Sequence, residues 1–386
     1  MSEDTTGYDA SHIQVLEAWE AVRKRPGMYI GSTGERGLSQ LVFEVADRAV
    51  NEALTRGSGS VGITLMADGG VRVADDGAGV APAGPDGGGP GLEALLTRIG
   101  PGGEPGSRHD VTLGFCRFGP GVVNALSSRM TAEVRRDGVR RVQEYARGVA
   151  VTPVTEAGAA TGSGTSITFW PDADVFTTAE FSFDALAERF RELAFLNRGL
   201  EVSLTDRRGP GESRSVRFGS PEGVRDLVVF LDGHMTEEAL TEIVAFEHED
   251  PRMAGVMEVA FRWCGCRGER IRGFANSRRT VEGTHTSGFR DGVAAAVTAY
   301  ARERRLLSAA DPDVGGDRIG EGLTAVVSVK LDRPEFGGAT RGVLDNPGVR
   351  DRVGQAVQEH LGRWLREHPV RASAVTDRIV RGVPRH

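Results

Sequence analysis

The stretch "LVFEVADRAVNEAL", Leu41 to Leu54, decides the fold. Val42, Ala46, Ala49, Val50 and Ala53 recur at helical spacing, so it reads as an amphipathic helix with one face toward a core. Glu44, Arg48, Asn51 and Glu52 fall on the opposite face. Glu44 followed by Arg48 is the favourable i,i+4 order for a solvated ion-pair ladder. A row of functional side chains is the competing reading, and the surrounding chain has to decide between them.

The chain has 386 residues, enough for two domains with separate cores. Hydrophobic residues at 39% and charged residues at 26% fit a soluble protein. A net charge of −7 offers nucleic acid no global attraction, so any DNA contact has to come from a local patch. The opening "MSEDTTGYDASH" is acidic and polar, unlike a secretory signal or transit peptide, and no apolar run reaches membrane-spanning length. The expected location is the cytoplasm, with no membrane partner. Cys116, Cys264 and Cys266 are an odd set without a disulfide framework, and "CGC" is too tight for a zinc knuckle. The histidines form no HExxH-like cluster.

The stretch "IQVLEAWEAVRKRPGMYIG" reads as a helix that Pro26 and Gly27 end. After the Leu41 helix, Val61, Ile63 and Leu65 alternate, "DGG" turns, and Val71 and Val73 resume, which predicts a β-hairpin. Gly79 to Gly121 is glycine- and proline-rich and reads as loop. Strands dominate from Val134 to Trp170, and "FSFDALAERFRELAFLN" is an amphipathic helix. Near Gly219 the pattern restarts with "SPEGVRDLVVFL", which sets a domain boundary there. The second half reads strand, strand, helix, strand and a terminal helix from about Pro347 to His368. Each half is expected to be α+β.

Three short features carry chemistry. Glu44 lies on its helix, and "DDGAG", Asp75 to Gly79, follows a strand. A carboxylate at a strand end can accept from an amino group on a flat heterocycle, and the glycines let backbone approach a ligand. "GFCRFGPG", Gly114 to Gly121, precedes a helical segment, and glycines before a helix N-terminus suit phosphate. Each feature alone also has a plain structural reading, as ladder, turn or punctuation.

In this order the three features resemble the N-terminal half of DNA gyrase B subunits, within the GHKL ATPase superfamily. "YDASHIQVLEAWEAVRKRPGMYIGSTGERGL", "RELAFLN", "EGTHTSGF" and "EGLTAVVSVK" carry the resemblance over nearly the whole chain. It implies a GHKL (Bergerat) ATP-binding α/β sandwich in residues 1–219, followed by a transducer domain of the ribosomal-protein S5 domain 2 type in 220–386. It implies a homodimer closed by an N-terminal arm around Tyr8, with gyrase subunits as possible partners. Carried over position by position, Glu44 falls on the general base that polarises the attacking water. Asp75 falls on the adenine-reading aspartate, with Gly77 and Gly79 beside it and Thr165 supporting it. Gly114 and Gly119 fall in the phosphate lid, and Asp47 and Glu52 also match.

Other positions depart. Arg48 stands where the family places the asparagine that holds magnesium, and Arg117 replaces the middle lid glycine. Ala339-Thr340-Arg341 replaces the Q-T-K loop that senses the terminal phosphate. The lid lysine is replaced near Gly103 or Glu104, Asn51 replaces an aspartate, and Ala78 and Val142 replace two arginines at the pocket edge. A guanidinium 4 Å from Mg²⁺ would be repelled by roughly 8 kcal/mol at an effective dielectric near 20. Leaving its preferred rotamer costs only about 1 kcal/mol. Arg48 is therefore expected to move aside or to exclude the metal, so Mg²⁺ is doubtful while ATP or another ligand of the site remains expected.

Three placements of Arg48 stay open. It lines an anion pocket with Arg117 and Arg341, it pairs with Glu44 or Glu52 beside an empty pocket, or enough of the site survives for residual hydrolysis. The functional readings are a gyrase-B-like ATP-binding and dimerisation module with weak or lost hydrolysis, an enzyme that uses the old pocket on a small anionic metabolite with Cys116 and His109 as added groups, or a non-catalytic gyrase decoy or regulator. No DNA-cleavage domain follows the transducer in this sequence, and a stand-alone paralogue is the expectation. The basic tract Arg262 to Arg279 is the one candidate for weak DNA contact.

Overall fold

The structure is a computed structural model of the chain and describes residues 16–81, 91–100, 108, 110–114, 118–233, 239–265, 268–338 and 342–381. The alternating hairpin forms as expected, from Gly59–Leu65 and Val71–Asp75, with Val61 opposite Asp75 and Ile63 opposite Val73. It lies inside a nine-stranded sheet. Gly59–Leu65 pairs in parallel with Leu200–Asp206, while Val71–Asp75 pairs antiparallel with Gly164–Pro171. Ser127–Arg136 and Val139–Ala146 continue the sheet beyond Gly164–Pro171. This register brings the end of the Asp75 strand beside Thr165, so two distant segments meet at one sheet position.

The helix Glu35–Leu54 crosses the hairpin. Its Leu38, Leu41, Val42, Val45, Ala46, Ala49, Val50 and Ala53 are buried against Ile63, Leu65, Val73 and Phe169 and against Phe190 of the helix Phe183–Leu196. Each large apolar side chain buried this way contributes about 1.5–3 kcal/mol, which fixes the helix and hence the direction of its polar face.

A second, five-stranded sheet runs Val244–Asp250, Gly255–Trp263, Leu323–Leu331, Arg270–Ala275, Arg278–Thr280. Its central strand Leu323–Leu331 is buried on both faces. Val326 joins Ala260, Phe274 and the helix Val224–Asp232 on one side. Ala325, Val327 and Val329 share the other core with the helices Thr284–Glu303 and Pro347–Glu367. Those two helices approach closely because a Cβ on Gly288 or Gly292 would collide with the carbonyl oxygens of Arg350 and Gly354.

Some expectations are corrected. The tract read as loop contains the helix Gly91–Thr97, anchored by Leu92 and Leu96, a pair too short to register as periodicity among the glycines. The terminal helix does stop near His368, but Pro369 opens a further helix, Pro369–Arg381, whose Ala372, Val375 and Ile379 are buried. Cys264 is disulfide-bonded, although no framework was expected. Three arginines of the basic tract have partners within the chain: Arg262 pairs with Asp232, Arg270 donates to the Leu231 carbonyl, and Arg279 faces Glu188 and Glu192. A nucleic-acid backbone would have to compete with these partners.

The helix contact gives a direct test. Gly292→Ala adds a methyl group where backbone meets backbone, and is expected to lower the unfolding free energy by about 1–3 kcal/mol in urea denaturation. A variant as stable as the wild type would show that the two helices separate freely.

Candidate functional site

The polar face of the helix Glu35–Leu54 divides into two stripes. Gln40, Glu44, Asp47 and Asn51 form the first, and every one of them is engaged. Gln40 Nε2 donates to Glu44 Oε1 at 2.9 Å, and the Gly119 N–H donates to Glu44 Oε2 at 2.9 Å. The Leu113 and Gly114 N–H groups donate to the two Asp47 oxygens, the second at 3.1 Å. Asn51 accepts from the Val111 N–H at 2.7 Å and donates to the Val111 carbonyl at 2.9 Å, satisfying that peptide unit in both directions. The segment 111–114 is thereby strapped along the helix.

The strap is also tied to the second sheet. The Thr112 N–H donates to the Asn276 carbonyl at 3.3 Å. Just upstream, Arg108 grips Asp332 with two parallel 2.9 Å bonds and Glu249 with one of 2.6 Å. The fork-on-carboxylate geometry makes this the more directional anchor. Gly114 is required by closeness, since a Cβ there would lie 2.5 Å from Glu44 Oε1. Gly119 is required by conformation, with φ at 77°.

Arg48 and Glu52 form the second stripe, facing the strand end. Arg48 Nη1 donates to Asp75 Oδ2 at 2.8 Å, and Arg48 Nη2 donates to Thr165 Oγ1 at 3.1 Å. Glu52 Oε2 lies 3.9 Å from Nη2, an ion pair without a hydrogen bond. Asp75 is 3% exposed, and its Oδ1 accepts from the Gly77 N–H at 3.0 Å and the Thr165 N–H at 3.2 Å. Burial pushes the Asp75 carboxyl above its usual range, and the Arg48 charge and the N–H bonds oppose that rise. Gly77 leaves room for the Glu52 side chain, and Gly79 adopts φ 79° against the Arg135 carbonyl.

The sequence placed Arg48 near phosphate, or paired with Glu44 or Glu52. Its guanidinium instead reaches the two side chains assigned to reading a base, with Glu52 as a distant third partner. The longer side chain carries the charge past the asparagine's position to the buried carboxylate across the sheet. Three of the carboxylate's roughly four acceptor positions are then filled from within the chain. Arg48 offers donors only, and no group of three or more His, Cys, Asp or Glu that could hold a metal ion converges among the described residues. Tyr8, His109, Cys116, Arg117 and Arg341 lie outside the described residues, as do Gly103, Glu104, Ala339 and Thr340.

Sequence reasoning missed Gln40 as the holder of Glu44 and Asn51 as the strap's anchor. The signal was available, because residues 40, 44, 47 and 51 share one helical stripe. It also missed the environment of Asp47. Burial, then the nearby Glu44 charge, raises its carboxyl to about 8 from 3.8, against the strap's N–H bonds and Arg189. The folded protein therefore holds a proton that the unfolded chain releases near 3.8, and stability from this group falls as pH rises from there to about 8. The unfolding free energy of the wild type minus that of Asp47→Asn is expected to decrease steadily across this window in denaturation curves. A difference independent of pH would mean that Asp47 titrates as in the unfolded chain.

Comparison with known proteins follows the same lines. A family model described as DNA gyrase B matches residues 223–382. The DNA gyrase B protein of Streptomyces coelicolor is 42% identical over 390 residues, covering 96% of this chain and 57% of the relative. The novobiocin-sensitive DNA gyrase B protein of Streptomyces niveus is 41% identical over 97% of this chain and 58% of its own length. This chain thus spans somewhat under three-fifths of the curated relatives it matches. Among solved structures, the 43K ATPase domain of Thermus thermophilus gyrase B, in complex with an aminocoumarin, matches with a TM-score of 0.77 and 33% identity, covering 95% of this chain and 94% of that one. The topoisomerase IV ATP-binding domain of Francisella tularensis matches with a TM-score of 0.76 and 28% identity over 95% and 97%. The mixed sheets covered by helices are therefore an architecture shared with GHKL ATPase domains, and this chain belongs to the DNA gyrase B family.

Proposed function

We propose that this chain is a gyrase-B-type ATP-binding and dimerisation module whose base seat is held by its own arginine, so that nucleotide binds weakly and hydrolysis is weak or lost. The observation that carries this reading is the double donation from Arg48 to Asp75 and Thr165. An adenine amino group reaching Asp75 has to displace a cation already bonded to it. The exchange replaces a charge-assisted hydrogen bond with a neutral donor of about half its strength. With bonds to charged groups worth about 1.5–3 kcal/mol, nucleotide affinity falls by roughly ten- to a hundredfold.

In this reading residues 1–219 are the nucleotide unit and 220–386 the transducer, and the arm around Tyr8 joins two copies. Gly77, Gly79, Gly114 and Gly119 keep the backbone close to the ligand. Glu44 remains the candidate base, a carboxylate positioned by Gln40 and the Gly119 N–H. Phosphoryl transfer in this superfamily draws on a magnesium ion that neutralises developing charge, and position 48 no longer supplies a ligand for one. The module then acts as a clamp or regulator governed by occupancy rather than turnover.

Calorimetric titration with ATP and a non-hydrolysable analogue, in magnesium and in chelator, tests this together with phosphate release. The wild type is expected to bind weakly, indifferent to magnesium, with little turnover. Arg48→Asn is expected to tighten ATP by about tenfold or more and to make binding respond to magnesium. Brisk magnesium-dependent turnover by the wild type, with no gain in the variant, would overturn the proposal.

A further inference from the structure

Toward the N-terminal end of the same helix, reaching Gln40, lies a cavity of about 810 Å³ between Glu35–Leu54 and Phe183–Leu196, with Arg279 in its lining. Its volume is that of a small-molecule site. Ile30, Phe43 and Ala185 supply apolar wall, and three arginines, Arg36, Arg189 and Arg279, share the polar lining with acids and serines. Their donors are poorly matched within the protein. Arg189 Nη2 donates to the Ser277 carbonyl at 2.9 Å, but Arg189 Nη1 is buried with no hydrogen-bond partner. Glu192 stands 3.6 Å from Arg189 and 3.7 Å from Arg279, too far for hydrogen bonds to either. Arg36 makes no ion pair among the described residues.

We propose that this cavity binds a small organic carboxylate, an anion with an apolar body, gripped by Arg189 and Arg279 with Arg36 at the rim. A buried guanidinium nitrogen without a partner carries a desolvation cost that a ligand oxygen would relieve. The planar fork of arginine matches a carboxylate's two oxygens. Three acids also line the cavity, Glu35, Glu188 and Glu192. Glu188 faces Arg279 at 4.0 Å, and burial biases Glu192 toward its neutral form. The unmet groups are donors, so the cavity selects a monoanion over a cation. The acids and the apolar wall disfavour a multiply charged ligand such as phosphate.

The test uses the full chain without nucleotide, so its outcome is independent of the reading given to Arg48. Sodium benzoate is titrated by calorimetry, with acetate and benzyl alcohol as probes that keep only the charge or only the ring. Benzoate is expected to bind saturably, and each partial probe about tenfold more weakly or worse. Arg279→Ala and Arg36→Ala, both at exposed positions, are each expected to weaken benzoate by about tenfold, with circular dichroism confirming that they fold. Absence of saturable benzoate binding, equal binding of benzyl alcohol, or an Arg36→Ala/Arg279→Ala double variant that binds like the wild type would each overturn the proposal.

Discussion

A guanidinium resting on a buried carboxylate, Arg48 on Asp75, is the contact from which the character of this molecule follows. Asp75 sits at the end of a strand whose register is fixed on both sides, and two backbone N–H groups hold one of its oxygens. It is almost wholly shielded from water, so its charge needs a partner. Here the chain provides a cation of its own. Breaking a buried pair by removing one member costs about 3–5 kcal/mol, so the occupied arrangement is a stable resting state rather than an accident of side-chain packing.

The helix that carries Arg48 performs a second task on its neighbouring stripe. Glu44, Asp47 and Asn51 are bonded to the segment leading into and out of the lid, and Arg108 fastens the same segment to the second sheet. Polar side chains on one helix therefore hold Asp75, the segment 111–114 with Gly119, and through that segment the joint with the second half. The arrangement is mechanically economical but intolerant. A substitution at position 47 or 51 would reach the lid without touching a ligand, and one at 48 alters the base seat without disturbing the lid's anchors.

Much of this was legible in the sequence, for identifiable reasons. The hairpin and the long helix announce themselves because burial imposes a period of two or 3.6 residues on apolar side chains, and the central strand Leu323–Leu331 because burial on both faces leaves a nearly continuous apolar run. The helix Gly91–Thr97 was hidden because two leucines among glycines show no period, and Pro369–Arg381 because the proline reads as an end and is also a permitted beginning. Glu44 and Asp75 stood out from the sequence pattern, while their roles, and Thr165 altogether, came from resemblance. The destination of Arg48 could come from neither. A helical wheel says which face a side chain leaves from, but where a long side chain arrives depends on how the helix lies across the sheet and on which charge is buried within reach.

That last point bears on how a nucleotide site changes character. Asparagine at position 48 would be a short side chain with an acceptor, useful only close by. Arginine has no acceptor and a reach of several bonds, so the same Cα addresses a different part of the pocket. Where it lands matters more than what it replaces. Placed at the phosphate end, its charge would oppose a metal ion; placed on Asp75, it neutralises the site's buried negative charge and removes the acceptor that distinguishes an amino-bearing base. On the proposed reading the pocket thus becomes less selective for adenine and less hostile to anions at the same time, through one side chain lying between the sheet and the helix that frame it.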